Sequence, residues 1–263
     1  MIIDGKAIAA DILESVSKEV IELGRTPVLT AITCAPNFET QKYLEMKKRR
    51  AAAVGINLNV VELPVTATNE DVLACIGQVA VESDGIVVQL PLPKHIDTDQ
   101  VLAAVPVNKD PDAFHYGENN DHLLPPVVGA IDEISKRHNL DWKNKKVTVV
   151  GAGRLVGLPA IYYAKKAGAE VTTLNRQNFD IKSIEAADII ISGIGQPQFI
   201  KADSIKSGAV VFDAGTSEEG GILVGDVDSA AIDKASLITP VPGGIGPITI
   251  ACLLRNLVIL ASQ

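Results

Sequence analysis

The sequence predicts an α/β protein of two lobes, and three observations carry that prediction. Hydrophobic residues make up 47% of the chain but aromatic ones only 4%. The core must therefore be built from Ala, Val, Ile and Leu, the composition of buried parallel strands covered by helices. Short apolar runs alternate with helix-period stretches in two separate series, a pattern that calls for right-handed crossovers within a parallel sheet. Between the series lies a polar, turn-rich stretch over residues 105–124, and a chain of 263 residues has length for one large domain or two modest lobes, each with a core.

The first helix is read over residues 8–23, where Ile8, Ile12, Val16 and Val20 share one face and Gly24 stops the run. A strand follows over 28–33, a helix over 40–54 ended by Gly55, a strand over 56–63, a helix over 69–81 and a strand over 84–89. Beyond the turn-rich stretch a helix over 128–138 opens the second series, with a strand over 146–150, a helix over 157–167 and strands over 170–174, 187–192 and 209–213. The last helix, 247–261, has no strand after it to cross to, so it is expected to pack back on the first lobe. That second connection would leave two lobes around a cleft, with domains over 1–125 plus 248–263 and over 126–247.

Charge and composition exclude several classes. A net charge of −8 repels phosphate backbones, and only Lys47 to Arg50 is dense in cations, so nucleic acid is not an expected partner. The N-terminal apolar run is broken by Asp4 and Lys6, and residues 248–260 contain Arg255 and Asn256. Neither reads as a signal peptide or a membrane span, and a soluble, cytoplasmic protein is expected. The three cysteines lie far apart, and the four histidines fall outside paired-ligand spacing, so no metal site is expected.

Six stretches carry candidate chemistry. KVTVVGAGRLVGLPA, 146–160, is a strand that ends in Gly151, Gly153 and Gly157 and opens a helix. Glycines at that turn let the backbone approach a pyrophosphate resting on the amide-rich helix N-terminus, although a tight turn without a ligand accounts for the same letters. The next strand ends in Asn175 and Arg176 with no acid before Asp180. A cation at that position suits the 2′-phosphate of NADP, and a solvated surface arginine is the plainer account. SGIGQP, 192–197, follows another strand, so Gly195 could pass beneath the nicotinamide end or form one more turn. ITPVPGGIGPIT, 238–249, sets three glycines among three prolines before a helix, a density that favours shaping a ligand over a plain connection. DGIVVQLPLP, 84–93, puts Gln89 at a strand's C-terminal end, where ligands gather in open sheets and where a capping amide is equally at home. Finally, KYLEMKKRR, 42–50, places Tyr43 and Lys47 four apart on one helix face, with Met46, Ala53 and Val54 read as its apolar side. On spacing alone a snorkelling Lys47 is the simpler reading.

Together these segments resemble the bifunctional methylenetetrahydrofolate dehydrogenase/cyclohydrolase family over nearly the whole chain. The motifs IIDGKAIA, YLEMK, VVQLPLP, KDPDAF, VVGAGRLVGLP, GAVVFDAG, VGDVD and TPVPGGIGP stand in the family's order, and the last is highly specific. The resemblance implies a Rossmann-like, doubly wound second domain. It also implies oxidation of 5,10-methylenetetrahydrofolate with NADP, hydrolysis of the methenyl cation to 10-formyltetrahydrofolate, and a homodimer. It casts Lys47 as the catalytic lysine, Tyr43 as the ring that aligns the folate, Gln89 as the partner of Lys47 and Asp112 as the pterin ligand. Pro242, Gly243 and Gly244 would border the substrate, and Gly151, Gly153, Arg154, Gly157, Arg176, Gly195 and Gly246 the cofactor.

A lysine that accepts a proton near neutrality must fall from about 10.4 to roughly 7 or 8. Burial and the flanking Lys48, Arg49 and Arg50 are both expected to push it that way. The chain also departs from the family pattern. Gly151-Ala152-Gly153 replaces Gly-Arg-Ser, which leaves NAD open as the alternative to NADP. Ala113 stands for a glycine, Thr40 for a serine, and Pro125-Pro126-Val127-Val128 for a PCTP segment. A related two-lobe dehydrogenase of shikimate type, and a folate-binding homologue with impaired turnover, are the competing readings.

Overall fold

The computed structural model describes residues 1–117 and 122–263, so part of the predicted 105–124 loop lies outside the described residues. The chain divides into two compact units, one of Ala10–Pro126 with Ile250–Gln263, the other of Met1–Ala9 with Val127–Thr249.

The first helix, α1, covers Gly5–Leu23. All four predicted face residues, Ile8, Ile12, Val16 and Val20, are buried. In the first unit three parallel strands, β1 (Val28–Cys34), β2 (Asn57–Leu63) and β3 (Gly85–Val88), form a sheet in the order β2-β1-β3. The crossovers are α2 (Phe38–Ala53) and α3 (Asn69–Val79). Asn37 caps α2, and Thr68 with Asp71 closes a capping box on α3, which satisfies N–H groups that a helix start leaves unpaired. The central β1 is almost wholly buried, and Ile32, Ile86, Val88, Val72 and Ile76 share one aliphatic core. The short helix α4 (Thr98–Ala103), capped by Asp97, was not legible in the apolar pattern because it is barely two turns long.

The C-terminal helix spans Ile245–Ala261, and its part from Ile250 onward belongs to the first unit, as the sequence predicts for a returning helix. Leu253, Leu254, Leu257 and Val258 are buried there, and the Leu257 side chain lies so close to Gly85 that a Cβ at Gly85 would meet it at 2.6 Å. Arg25 pairs with both carboxylate oxygens of Asp84 at 2.7 and 2.8 Å and reaches the Ala261 carbonyl at 2.8 Å.

The second unit follows α5 (Pro126–Arg137) with β4 (Lys146–Val150), α6 (Gly157–Lys166), β5 (Glu170–Leu174), α7 (Ile181–Glu185), β6 (Ile189–Ser192), β7 (Val210–Asp213), a hairpin of β8 (Ser217–Glu219) and β9 (Ile222–Val224), and β10 (Leu237–Ile238). Five parallel strands stand in the order β10-β7-β6-β4-β5. This is a doubly wound sheet whose strand order reverses between β4 and β6, the point at which such sheets bind ligands. The β8–β9 hairpin turns through Gly220 and Gly221, both with positive φ. That Gly-Gly pair is a readable hairpin signal which the apolar-run pattern passes over. Residues 1–3 also belong to this unit: the Ile3 amide donates to the Ile238 carbonyl at 3.0 Å and Ile2 bridges Ile238.

Candidate active site

Helix α2 buries Thr40, Leu44, Lys47, Ala51 and Val54, while Lys42, Lys48, Arg49 and Arg50 are exposed. Met46 and Ala53, expected on the apolar side, are exposed instead, because the helix turns its 40-44-47-51-54 stripe inward. Lys47 is therefore the one cation of KYLEMKKRR placed in the core, only 7% exposed. A lysine so deep cannot carry its ammonium out to bulk solvent and must find its partners inside. Its Nζ donates to Gln89 Oε1 at 3.0 Å and lies 4.8 Å from the centroid of the Tyr43 ring. Gln89 sits one residue past β3; its amide N–H extends the ladder to the Ile32 carbonyl at 2.8 Å, and its Nε2 donates to the Leu90 carbonyl at 3.0 Å. The side-chain oxygen is thereby left for the lysine.

Burial pushes the Lys47 ammonium below the ordinary lysine range, and the Asp112 carboxylate opposes that shift. The flanking cations, expected to help lower it, are exposed and are not among the causes: burial does the work. Burial also pushes the Tyr43 phenol up to about 12, with Asp112 adding to the rise. Tyr43 thus offers a ring and a hydroxyl donor, not a base. Asp112 is raised by burial and drawn back down by Lys47.

The Asp112 loop is built from neighbours the sequence reading did not single out. Asp110 is pushed up to about 7 by burial and then by Asp112. Its Oδ2 accepts the Phe114 amide at 2.7 Å, and its buried Oδ1 has no partner among the described residues. Asn256, read only as a break in an apolar helix, is buried and donates to both the Pro111 and the Leu124 carbonyls at 2.9 Å, so it fastens the two ends of this segment. The residue pattern carried no signal for it, because the bonds join positions more than a hundred residues apart.

Ala113 holds a φ of +53°, the left-handed conformation that favours glycine and costs other residues roughly 1–2 kcal/mol. Ala113→Gly is expected to raise stability by up to about 1 kcal/mol, the strain relieved less the added chain entropy, read from urea midpoints. An unchanged or lowered midpoint would mean that the alanine sits there without strain.

In the second unit β4 ends at Gly151, which has a φ of +90° and donates to the Leu174 carbonyl at 2.7 Å. A Cβ at Gly157 would fall 1.9 Å from the Gly151 carbonyl oxygen, and one at Gly193 would fall 2.6 Å from a Val156 methyl. The loops after β4 and β6 are thus packed on each other where the strand order reverses. A Cβ at Gly153 or Gly246 would meet nothing within 4 Å, so both stand beside open space. Among the described residues no side chain caps α6; the Leu158 amide bonds the Gly153 carbonyl at 3.0 Å and Pro159 has no N–H, which leaves the Gly157 amide at the helix start for an anion.

Arg176 is exposed at the end of β5 in a loop ordered by Asn175, whose Oδ1 accepts the Gln177 and Asn178 amides at 2.8 and 3.2 Å. The segment before the C-terminal helix is clamped by the N-terminus: the Gly5 amide donates to the Gly243 carbonyl at 2.9 Å, and a Cβ at Gly5 would lie 1.8 Å from the Gly244 carbonyl oxygen. The helix begins at Ile245, so Gly246 and Pro247 lie in its first turn.

The predicted residues therefore fall into two groups. Tyr43, Lys47, Gln89 and Asp112 lie together in the first unit, and Gly151, Gly153, Arg154, Gly157, Arg176, Gly195, Pro242, Gly243, Gly244 and Gly246 belong to the second. A buried lysine–amide–carboxylate cluster in one unit, with a glycine-rich turn at the switch point of a doubly wound sheet in the other, defines a two-unit α/β enzyme of the dinucleotide-using class.

The family model for the catalytic domain of tetrahydrofolate dehydrogenase/cyclohydrolase matches residues 3–112, and that for its NAD(P)-binding domain matches residues 125–263. The bifunctional protein FolD of Mycoplasmopsis synoviae is 38% identical over 273 residues, 98% of each chain. The structure of the Campylobacter jejuni bifunctional enzyme FolD superposes with a TM-score of 0.95 at 33% identity, covering 100% of this chain and 98% of that one. That of the Trypanosoma brucei methylenetetrahydrofolate dehydrogenase-cyclohydrolase, complexed with NADP and an inhibitor, gives 0.92 at 34% identity, covering 100% and 97%. The chain belongs to the tetrahydrofolate dehydrogenase/cyclohydrolase family. With both of its halves matched by that one family, a shikimate-type assignment has no support.

Proposed function

We propose that the protein oxidises 5,10-methylenetetrahydrofolate to the 5,10-methenyl cation with NADP and then hydrolyses that cation to 10-formyltetrahydrofolate. The observation that carries this reading is Lys47, buried, hydrogen-bonded to Gln89 and set against Tyr43 and Asp112.

In the first step a hydride leaves the methylene carbon; bound NADP supplies the acceptor. The protein's share of that step is positioning, because no proton moves at the carbon. Asp112 would take the pterin's N–H groups and Tyr43 would lie along the ring system. Gly151, Gly153, Gly157 and Arg154 would line the pyrophosphate, Gly195 and Gly246 the remainder of the cofactor, and Arg176 the 2′-phosphate. Pro242, Gly243 and Gly244 would shape the substrate side. In the second step water adds to the methenyl carbon and loses a proton, and the C–N5 bond of the adduct then breaks as its hydroxyl becomes the formyl carbonyl and N5 takes a proton. Neutral Lys47 would take the water's proton, a role favoured by the burial that lowers the amine's proton affinity below the ordinary lysine range. Gln89 would hold the amine in place whether charged or neutral.

The reading extends to a folate domain over 1–125 plus 248–263 and an NADP domain over 126–247, with the first nine residues grouped by their contacts with the second unit, to a homodimer, and to the cytoplasm. Among the described residues no helix is long and apolar enough to cross a membrane.

The deciding experiment is an assay of the purified protein with methylenetetrahydrofolate and either NADP or NAD. Growth of reduced-nicotinamide absorbance, larger with NADP, is expected; silence with both would overturn the reading. Arg176→Ala should raise KM for NADP by about tenfold or more, the value of a charge-assisted phosphate contact, and leave KM for NAD unchanged. Equal KM values for NADP before and after would leave Arg176 a surface cation.

A further inference from the structure

Two of the family-like motifs, FDAG (212–215) and GDVD (225–228), have no role in the chemistry above, yet each places an acid in the interior of the second unit. Asp213 ends β7 at 3% exposure, and Asp226 is fully buried. Neither has a cationic partner among the described residues; every hydrogen bond to their side chains comes from a neutral donor.

The donors to Asp226 all come from one place. Ser192 Oγ donates to its Oδ2 at 2.7 Å, the Ile194 amide to the same oxygen at 2.8 Å, and the Gln196 amide to Oδ1 at 2.8 Å. These are the end of β6 and alternate residues of the loop that follows it. The residue between the two amides is Gly195, exposed and with a φ of +64°. Asp213 backs this up. Its Oδ1 accepts the Gly215 and Asp226 amides at 2.9 and 3.1 Å, and its Oδ2 accepts the Val227 amide at 2.9 Å. The Asp213 amide itself donates to Thr239 Oγ1 at 2.8 Å, at the start of the Pro-Gly loop. The acids fit only because side chains are missing around them: a Cβ at Gly215 would lie 2.1 Å from Asp226 Cγ, and one at Gly225 would lie 2.1 Å from Asp213 Oδ2.

We propose that Asp226, supported by Asp213, is a positioning residue that fixes the Ser192-to-Gln196 loop in the shape that receives the nicotinamide half of the cofactor. The loop lies at the switch point, where Ile194 closes on Gly151 so tightly that a Cβ there would meet its methyl at 2.6 Å. In this topology the β5 side takes the adenine half, which leaves the β6 side to the other half. A carboxylate is needed because three N–H and O–H groups converge on it. It accepts with both oxygens, whereas an asparagine would present an NH₂ to at least one of those donors. The proposal rests on the NADP reading of this unit.

The test uses Asp226→Asn and Ser192→Ala in the full chain. Three quantities are measured: affinity for NADP, affinity for 2′,5′-ADP as the adenine half alone, and cyclohydrolase rate on methenyltetrahydrofolate without nucleotide. Asp226→Asn is expected to weaken NADP by about tenfold or more, as expected for a hydrogen-bonding partner lost to an oriented loop. Affinity for 2′,5′-ADP and the cyclohydrolase rate should stay within about twofold, since neither uses this loop. Ser192→Ala removes one donor of three and should shift NADP affinity in the same direction by a smaller factor; it decides the matter if Asp226→Asn fails to fold. Unaltered NADP binding, or equal losses for NADP and 2′,5′-ADP, would overturn the proposal. Failure of the underlying reading would show separately, as a wild-type protein that binds neither nucleotide.

Discussion

Lys47→Met is expected to lower cyclohydrolase turnover by about 10²–10⁴-fold, the usual worth of a positioned proton acceptor, and to leave the protein folded. Methionine matches the lysine stem in length and suits a site only 7% exposed, so the packing against Tyr43 is kept. What is lost is the amine. Gln89 Oε1 would lose its donor, at a cost of about 1–3 kcal/mol, partly offset because the buried amine no longer has to be desolvated. Lys47→Arg should fail as fully, since a guanidinium cannot give up its proton in this range. The wild-type rate is expected to climb with pH as Lys47 loses its proton. Burial sets that climb below the ordinary lysine range, while Asp112 holds it from falling further. In Lys47→Met the climb should vanish. The decay of methenyltetrahydrofolate absorbance across pH measures both effects, and wild-type cyclohydrolase in the methionine variant would remove Lys47 from the mechanism.

Gly157→Ala is the second large effect, and here the reason is steric. The new Cβ would fall 1.9 Å from the Gly151 carbonyl oxygen and 2.9 Å from the Ala152 Cα. Both are backbone atoms, so no rotamer change relieves the contact and the β4–α6 turn itself must open. Overpacking of this kind costs about 1–3 kcal/mol and often more. The same turn forms the expected pyrophosphate seat, so NADP binding should be lost along with stability. Nucleotide-independent cyclohydrolase should survive in the fraction that remains folded. Urea unfolding followed in the second unit, together with NADP titration, would reveal a wild-type midpoint and affinity if the turn is more tolerant than its geometry implies.

How far the sequence reaches is visible at particular residues. Strands β4 and β5 fall where the sequence puts them, because each is a short run rich in β-branched residues, KVTVV and EVTTL, ended by glycine or a polar turn. The short elements escaped. Helix α7 has five residues and β10 two, lengths at which periodicity has nothing to repeat. Met46 and Ala53 went to the wrong face because in a helix as polar as α2 the apolar residues are too few to fix which stripe turns inward.

The chain by itself determined the two α/β series, the returning C-terminal helix and the pairing of Tyr43 with Lys47, since each depends on spacing within a short segment. Only the tertiary structure decided that Lys47 is buried while its four neighbouring cations are not, that Gln89 turns its oxygen to it, that Asn256 ties Pro111 to Leu124, and that Asp226 gathers the amides after β6. Each of those joins positions tens to more than a hundred residues apart. Desolvation and hydrogen-bond geometry are properties of the surroundings, and for these groups the surroundings exist only once the sheets have formed.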